Sequence, residues 1–265
     1  MTATASTTVS LGKFPWTELL TSDTNAAIEF YTKVVGWTTT PWPGANPYTM
    51  WTSPRRGPVG GVMAIGPELK ARGVPPHWMA HVTTPNCDNT LKQVAKLGGQ
   101  IKVPGTDIPE IGRFGVFSDP QGGVLSAFTP NQGDMPEPEG LAGIGEFVWH
   151  ELAVADATKA LDFYHSVFGW DKTGEMEMGP GNIYRMFGLG GKPLGGMYNL
   201  DPKTHQPPGW LHYIEVADVD RAATQIPQLG GKVVNGPMDI PQGRFLVGID
   251  PQGAVFALHT YKGPK

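Results

Sequence analysis

The chain has 265 residues, 40% hydrophobic and 17% charged, with a formal net charge of −4, a composition that suits a folded globular protein and excludes a disordered one. Lysine and arginine are scattered rather than striped, which argues against nucleic acid as a partner, and no apolar run reaches the length of a membrane span. Cys87 is the one cysteine, so an intramolecular disulfide and the Cys-rich zinc patterns are excluded, and a cytoplasmic location is expected.

Residues 1–13, MTATASTTVSLGK, are small and polar, and predict a loose tail without the basic start or apolar stretch of a signal peptide. From Trp16 a short alternating strand leads to a helix started by Asp23, with Ala27, Ile28, Tyr31 and Val34 at helical spacing and Gly36 as the stop. Gly- and Pro-punctuated β segments follow at Tyr48–Trp51 and Val59–Ile65. The scheme then restarts with a strand at Trp78–Thr84, a helix from about Asp88 to Leu97 and a stop at Gly98-Gly99. Strands are expected next at Gln100–Val103, Arg113–Ser118 and Val124–Thr129. The stretch from Asn131 to Gly143, NQGDMPEPEGLAG, is rich in Pro, Gly and acid and reads as a linker.

After the linker the pattern repeats. Trp149 to Trp170 aligns with Trp16 to Trp37 at a shift of 149 − 16 = 133, with 10 of 22 positions identical. Gly60-Gly61 answers Gly195-Gly196, Trp78 answers Trp210, and Leu97-Gly98-Gly99 answers Leu229-Gly230-Gly231. Asp107-Ile108-Pro109 with Gly112-Arg113-Phe114 recurs as Asp239-Ile240-Pro241 with Gly243-Arg244-Phe245, and Asp119-Pro120-Gln121-Gly122 recurs as Asp250-Pro251-Gln252-Gly253. The third helix pattern carries Asp156, Ala160, Leu161, Tyr164, Val167 and Gly169; the fourth starts at Asp218, and Pro227 near its end should shorten or kink it. The β segments of this half are Tyr184–Leu189, Leu194–Asn199 and Trp210–Val216, with the glycines of 188–196 marking a hairpin. The reading is an α+β chain of four βαβββ units, paired into two cup-shaped modules at 14–130 and 144–265. A helix covers one sheet face of each unit, and the concave face is left to hold a small ligand.

The FY-x₄-GW helix ends (Phe30-Tyr31 to Trp37, Phe163-Tyr164 to Trp170), the two Asp-Pro-Gln-Gly turns and the Trp-x-Glu-Leu openings at Trp16 and Trp149 resemble the vicinal oxygen chelate superfamily. That group holds glyoxalase I, extradiol dioxygenases, fosfomycin-resistance enzymes and bleomycin-binding proteins, and the openings resemble its two-module, glyoxalase- or hydroxylase-like subgroup. The resemblance implies a tandem glyoxalase-like fold and, in metal-dependent relatives, a divalent ion in the cup. Carried over residue by residue, the opening-strand ligand positions are Trp16, Met79, Trp149 and Leu211, and the last-strand position is Ser126 or Ala257. The set cannot ligate a hard divalent ion, so no cofactor is expected.

His150, His212 and His259 suggest a displaced metal site, but strand alternation assigns His150 to the face of Leu152 and Val154 beneath the helix, and puts His212 out of phase with Leu211 and Tyr213. His259, in phase with Ala257, is placed in the cup and alone there. Trp16 and Glu18 are expected in the first cup opposite Met79 and His81, and Trp149 and Glu151 in the second opposite Leu211 and Tyr213. Glu18 with His81, and Glu151 with Tyr213, are the candidate acid/base pairs, while aromatic walls with one carboxylate equally suit a binding site. A third reading makes each Glu a brace that accepts backbone or Trp N–H bonds. Residues that fail to repeat, His81/Tyr213, Met79/Leu211, Thr49/Arg185 and Ser126/Ala257, are expected to set what each cup takes. Cys87, beside a helix start, is read as structural despite a position that favours a thiolate, and Arg113 and Arg244 as supports for a strand turn.

Three functions follow: a metal-free cup that binds a small organic molecule, a metal-independent lyase or isomerase with Glu18 or Glu151 as base, or a metal-dependent glyoxalase or dioxygenase with displaced ligands. The first is favoured, with homodimerisation expected from the resemblance alone.

Overall fold

The computed structural model describes residues 8–43, 47–135, 140–179, 181–204 and 206–263. The first quarter holds β1 (Trp16–Thr21), α1 (Thr24–Val34), β2 (Thr38–Pro41), β3 (Thr49–Ser53) and β4 (Gly57–Ala64), followed by a short helix α2 (Pro67–Ala71). The second holds β5 (His77–Thr83), α3 (Cys87–Lys96), β6 (Gln100–Ile108), β7 (Gly112–Ser118) and β8 (Val124–Pro130). The third holds β9 (Phe147–Val154), α4 (Ala157–Phe168), β10 (Asp171–Glu177), β11 (Ile183–Leu189) and β12 (Lys192–Asn199). The fourth holds β13 (Gly209–Glu215), α5 (Val219–Gln228), β14 (Lys232–Ile240), β15 (Gly243–Ile249) and β16 (Val255–Tyr261). Two eight-stranded sheets result, in order β2-β3-β4-β1-β5-β8-β7-β6 and β10-β11-β12-β9-β13-β16-β15-β14. The α+β chain of four βαβββ units is therefore present, one sheet to each half.

Local chemistry explains the boundaries. Asp23, Asn86, Asp156 and Asp218 each accept a backbone N–H from the first turn of a long helix, the N-cap bond that satisfies a donor the helix itself cannot. The cap of α3 is Asn86 rather than a residue at Asp88, so Cys87 is already helical. Pro227 does not shorten α5, which is 10 residues long like α3, because it falls in the last turn. β6 and β14 run further than their apolar patterns, through Pro104 and Pro237, which is tolerated because both are edge strands.

Two compact units divide the described chain, and they do not coincide with its halves: one is built around α3 and α4, the other around α1 and α5. In the α1–α5 unit, Phe30, Tyr31, Trp37, Trp51 and Trp78 pack with Ile214, Ile226, Leu246 and Phe256. In the α3–α4 unit, Leu91, Val94 and Phe117 pack with Phe163, Tyr164, Phe168, Trp170 and Phe187. Each core is fastened by the same buried relay. The Trp78 indole N–H donates to the Tyr31 hydroxyl at 3.0 Å, which donates to Asp250 at 3.1 Å. Trp210 donates to Tyr164 at 3.2 Å, and Tyr164 to Asp119 at 2.9 Å. The two carboxylates are the first residues of the repeated Asp-Pro-Gln-Gly turns, whose backbone N–H groups they also accept.

Residues 8–13 do not form a loose tail. Residues 1–7 lie outside the described residues, but 8–13 are tied down: Gly12 and Lys13 pair with Thr83 through bonds of 2.8 Å, the Trp170 indole donates to the Gly12 carbonyl at 2.7 Å, and Lys13 meets Asp134 at 3.1 Å. Gly12 has φ +85, and a Cβ there would fall 2.5 Å from a backbone oxygen, so only glycine fits this close approach. Part of the linker, 136–139, also lies outside the described residues. No helix among the described residues is long and apolar enough to cross a membrane.

Candidate functional site

Strand alternation divides every central strand between a helix-covered face and a helix-free one. On β1, Leu19 enters the α1–α5 core, so Trp16 and Glu18 point to the other face. On β9, Leu152 and Val154 enter the α3–α4 core, leaving Trp149 and Glu151 opposite. On β5, Trp78, Ala80 and Val82 are core residues while Met79 and His81 are not. On β13, Ile214 is core, and Leu211, Tyr213 and Glu215 alternate away from it. On β8 and β16 the flanking core residues leave Ser126 and Ala257 on the helix-free side, where Ser126 is fully buried beside His81 and Ala257 beside Tyr213. Glu18 and His81 belong to different compact units, as do Glu151 and Tyr213.

The helix-free face of the α1–α5 unit carries a hydrogen-bonded relay. The Trp16 indole N–H donates to the Tyr48 hydroxyl at 2.7 Å, and that hydroxyl donates to Glu18 Oε1 at 2.7 Å. Burial first, and the Glu18 charge second, push the Tyr48 phenol well above its ordinary pKa, so it stays a donor. In the α3–α4 unit Tyr184 donates to Glu151 at 2.9 Å, and Tyr198 stacks on Tyr184 with ring centres 6.2 Å apart. Burial and the Glu151 charge raise the Tyr198 phenol to about 12. Glycine makes room for both phenols. Glu18 pairs with Gly61 and Glu151 with Gly196, and a Cβ on either glycine would lie about 2 Å from a tyrosine ring atom.

Tyr48 and Tyr184, rather than their neighbours Thr49 and Arg185, are the functional candidates on these strands. Thr49 pairs with Val62, and Arg185 with Met197. Val62 and Met197 are both core residues, so Thr49 and Arg185 lie on the helix side, out of phase with Glu18 and Glu151. Arg185 is therefore withdrawn as a residue of the Glu151 face; its guanidinium donates to the Ile183 carbonyl at 3.2 Å. The signal was available: Tyr48 and Tyr184 recur at the start of corresponding strands, with the Gly-Gly pair answering both.

His150 and His212 lie on the helix-covered faces, as alternation predicts. His150 stacks on Phe14 with centroids 3.7 Å apart, and desolvation pushes fully buried His212 down to about 3. His212 and His259 sit on opposite faces of one sheet, which separates two members of the displaced histidine set. His259 is not alone, however. Its Nδ1 lies 2.6 Å from Glu215 Oε2, and Glu215 Oε1 accepts the Tyr261 backbone N–H at 2.7 Å. Phe245 stands directly opposite His259 on β15, and its ring is 5.9 Å from that of Tyr213. The corresponding cluster in the first half is His81 with Phe114 at 6.1 Å and Phe128 at 6.0 Å. Histidine and aromatic residue have exchanged places between the halves.

Other candidates resolve into structure. Burial and the Asp88 charge raise the Cys87 thiol to about 11, so the helix start does not make it a thiolate. Arg113 bridges Asp88 and Asp107, and Arg244 bridges Asp220 and Asp239, tying a helix start to a strand hairpin in each half. At the positions that the resemblance assigns to metal ligands stand Trp16, Met79 and Ser126, and Trp149, Leu211 and Ala257, a donor set that does not fit a divalent ion. Among the described residues no three His, Cys, Asp or Glu side chains converge.

A sequence model of the Glyoxalase/Bleomycin resistance protein/Dioxygenase superfamily matches residues 13–128 and again 143–258. The chain belongs to that superfamily. It is 33% identical over 249 residues to "Putative glyoxylase CFP32" of Mycobacterium tuberculosis, covering 92% of each chain. It is 30% identical over 257 residues to "Anthracycline biosynthesis protein DnrV" of Streptomyces peucetius, covering 92% of this chain and 91% of that one. Among solved structures, the 2,3-dioxygenase LapB from Pseudomonas sp. KL28 has a TM-score of 0.65 at 12% identity, covering 97% and 95% of the two chains. The Mn(II)-bound glyoxalase from Novosphingobium aromaticivorans has a TM-score of 0.63 at 13% identity, covering 95% and 82%. These two structures establish a shared fold and nothing about the reaction.

Proposed function

We propose that the chain binds a small, planar organic molecule on the helix-free faces of its sheets, and that it does so without the divalent ion of metal-dependent relatives. The observation that carries this reading is the Trp16–Tyr48–Glu18 relay, answered by Tyr184–Glu151 in the second half. Indole and phenol rings offer flat apolar walls, and a carboxylate held by a phenol offers one fixed acceptor for a ligand hydroxyl or cation. Met79 and Leu211 supply apolar surface at the positions where relatives place a metal ligand, and Ser126 and Ala257 are small. His81 and Tyr213 are the proposed polar groups on the helix-free faces of β5 and β13. The relative named for anthracycline biosynthesis supports a planar aromatic ligand, since an anthracycline is such a molecule.

The test combines elemental analysis with titration of the purified protein by an anthracycline, read by tryptophan fluorescence with and without chelator. Binding should survive the chelator, and no stoichiometric divalent ion should co-purify. Glu18→Gln should weaken binding about 10-fold or more, the scale of one hydrogen bond to a charged group. A stoichiometric metal whose removal abolishes binding would overturn the reading. Binding unchanged in both Glu18→Gln and Glu151→Gln would leave the two carboxylates as braces.

A further inference from the structure

The second half carries a pair for which the first half has no counterpart. At the places of Glu215 and His259 the first half has Thr83 and Phe128, residues that cannot exchange a proton. The Glu215 carboxylate is fixed from two sides, by the His259 ring at 2.6 Å and by the Tyr261 backbone N–H at 2.7 Å. With the Glu215 carboxylate as acceptor, Nδ1 is the donor of the pair, and Nε2 of the neutral ring is left as the acceptor. That nitrogen has no hydrogen-bond partner among the described residues and is not fully buried. The His259 side chain is 14% exposed, so the ring held by Glu215 keeps some access to solvent. Gly243 leaves room for the ring: a Cβ there would fall 2.5 Å from Nε2, so the imidazole reaches over β15 at this glycine. The ionisable groups beside it are Glu215 and Tyr213 on β13 and Tyr261 further along β16, while β15 presents Gly243 and Phe245.

We infer that Glu215 and His259 form a proton-accepting site, in which His259 Nε2 receives the hydrogen of an ionisable hydroxyl on an aromatic ligand. Phe245 and Tyr213 provide the ring contacts, and Glu215 is the positioning residue that sets the tautomer. In the full transfer the O–H bond breaks, the proton joins Nε2, and the electron pair stays on the ligand oxygen. The resulting imidazolium keeps its Nδ1–H bond to the Glu215 carboxylate. No metal, oxidant or further reactant takes part. The inference rests on the small-molecule reading of the helix-free faces, but on different residues from the Trp16–Tyr48–Glu18 relay.

The probe is 4-nitrophenol, whose phenolate absorbs in the visible. Mixed with the full chain below its own pKa, it should bind and show the phenolate band in the bound fraction. His259→Phe, which installs the residue found at the matching place in the first half, should remove the band. It should also weaken binding about 10-fold by equilibrium dialysis. Glu215→Gln, which keeps an acceptor oxygen for Nδ1–H, should retain part of the band, whereas Glu215→Thr should lose it. A band that survives in His259→Phe, or 4-nitrophenol that does not bind the wild type, would overturn the inference. Circular dichroism and the unfolding midpoint confirm that each variant is folded; if His259→Phe fails to fold, the Glu215→Gln and Glu215→Thr contrast decides. Failure of anthracycline binding with a normal nitrophenol response would sink the earlier proposal and leave this one standing.

Discussion

At position 212 an imidazole sits on the face of β13 that carries core residue Ile214, and desolvation pushes its pKa down to about 3 from an ordinary 6.5. A base whose folded pKa is depressed stabilises the fold above its unfolded pKa and loses that contribution as pH falls. The native state stays unprotonated while the unfolded chain takes up a proton, so stability should fall by up to about 1.4 kcal/mol per pH unit below pH ~6.5. His212→Leu should flatten that part of the profile in urea unfolding at several pH values; an unchanged slope would show that other groups govern it. The buried tyrosines invite a second test. Tyr31→Phe leaves the Trp78 N–H and an Asp250 oxygen without the hydroxyl that joined them, and should cost about 1–3 kcal/mol. Tyr164→Phe should cost the same through Trp210 and Asp119. A loss below about 0.5 kcal/mol in both would mean that water replaces the phenol.

At the scale of elements, the repeated glycines act on side chains of the adjacent strand. Gly61→Ala would push Tyr48 off the surface of β4, since a Cβ there meets the phenol at about 2 Å. The expected result is loss of the Tyr48–Glu18 bond, with about 1–3 kcal/mol of overpacking cost. If the variant unfolds at the wild-type urea midpoint and binds an anthracycline normally, the relay does not shape the site. Helices and most strands were legible in the sequence because Asp caps, glycine stops and alternation are local signals. The faces of β1, β5, β9 and β13 were legible too, since one apolar residue in contact with a helix fixes the phase of the rest. The phase of β3 and β11 was not: both begin beside Gly- and Pro-rich stretches, and the side of Thr49 and Arg185 is set by pairing with Val62 and Met197 across the strand. The Glu215–His259 pair was hidden for a related reason. The two residues are 44 apart in sequence and meet only through a parallel pairing of β13 with β16.

For the whole molecule, the duplication suggests two self-sufficient halves, but the cores are composed otherwise. Tyr31 of the first half reaches Asp250 of the second, and Tyr164 of the second reaches Asp119 of the first. Trp37 donates at 2.7 Å to the Gly145 carbonyl, and Trp170 at 2.7 Å to that of Gly12. Each compact unit thus takes one long helix from each half, α1 with α5 and α3 with α4. The first half expressed by itself, cut within the linker, would leave the inner faces of both its long helices in water, with Phe30, Trp78, Phe117 and Val94 stripped of the partners that the second half supplies. Exposing several such side chains at about 1.5–3 kcal/mol each costs as much as the usual net stability of a domain. The isolated half should therefore be unfolded, or should pair with a second copy that supplies the missing helix and Asp-Pro-Gln-Gly turn. Sedimentation and circular dichroism on each half distinguish these states, and mixing the two halves should restore a folded one-to-one complex with the unfolding midpoint raised toward that of the intact chain. A folded, monomeric half would contradict the crosswise assembly of the cores, because it would have to bury its helix faces on its own.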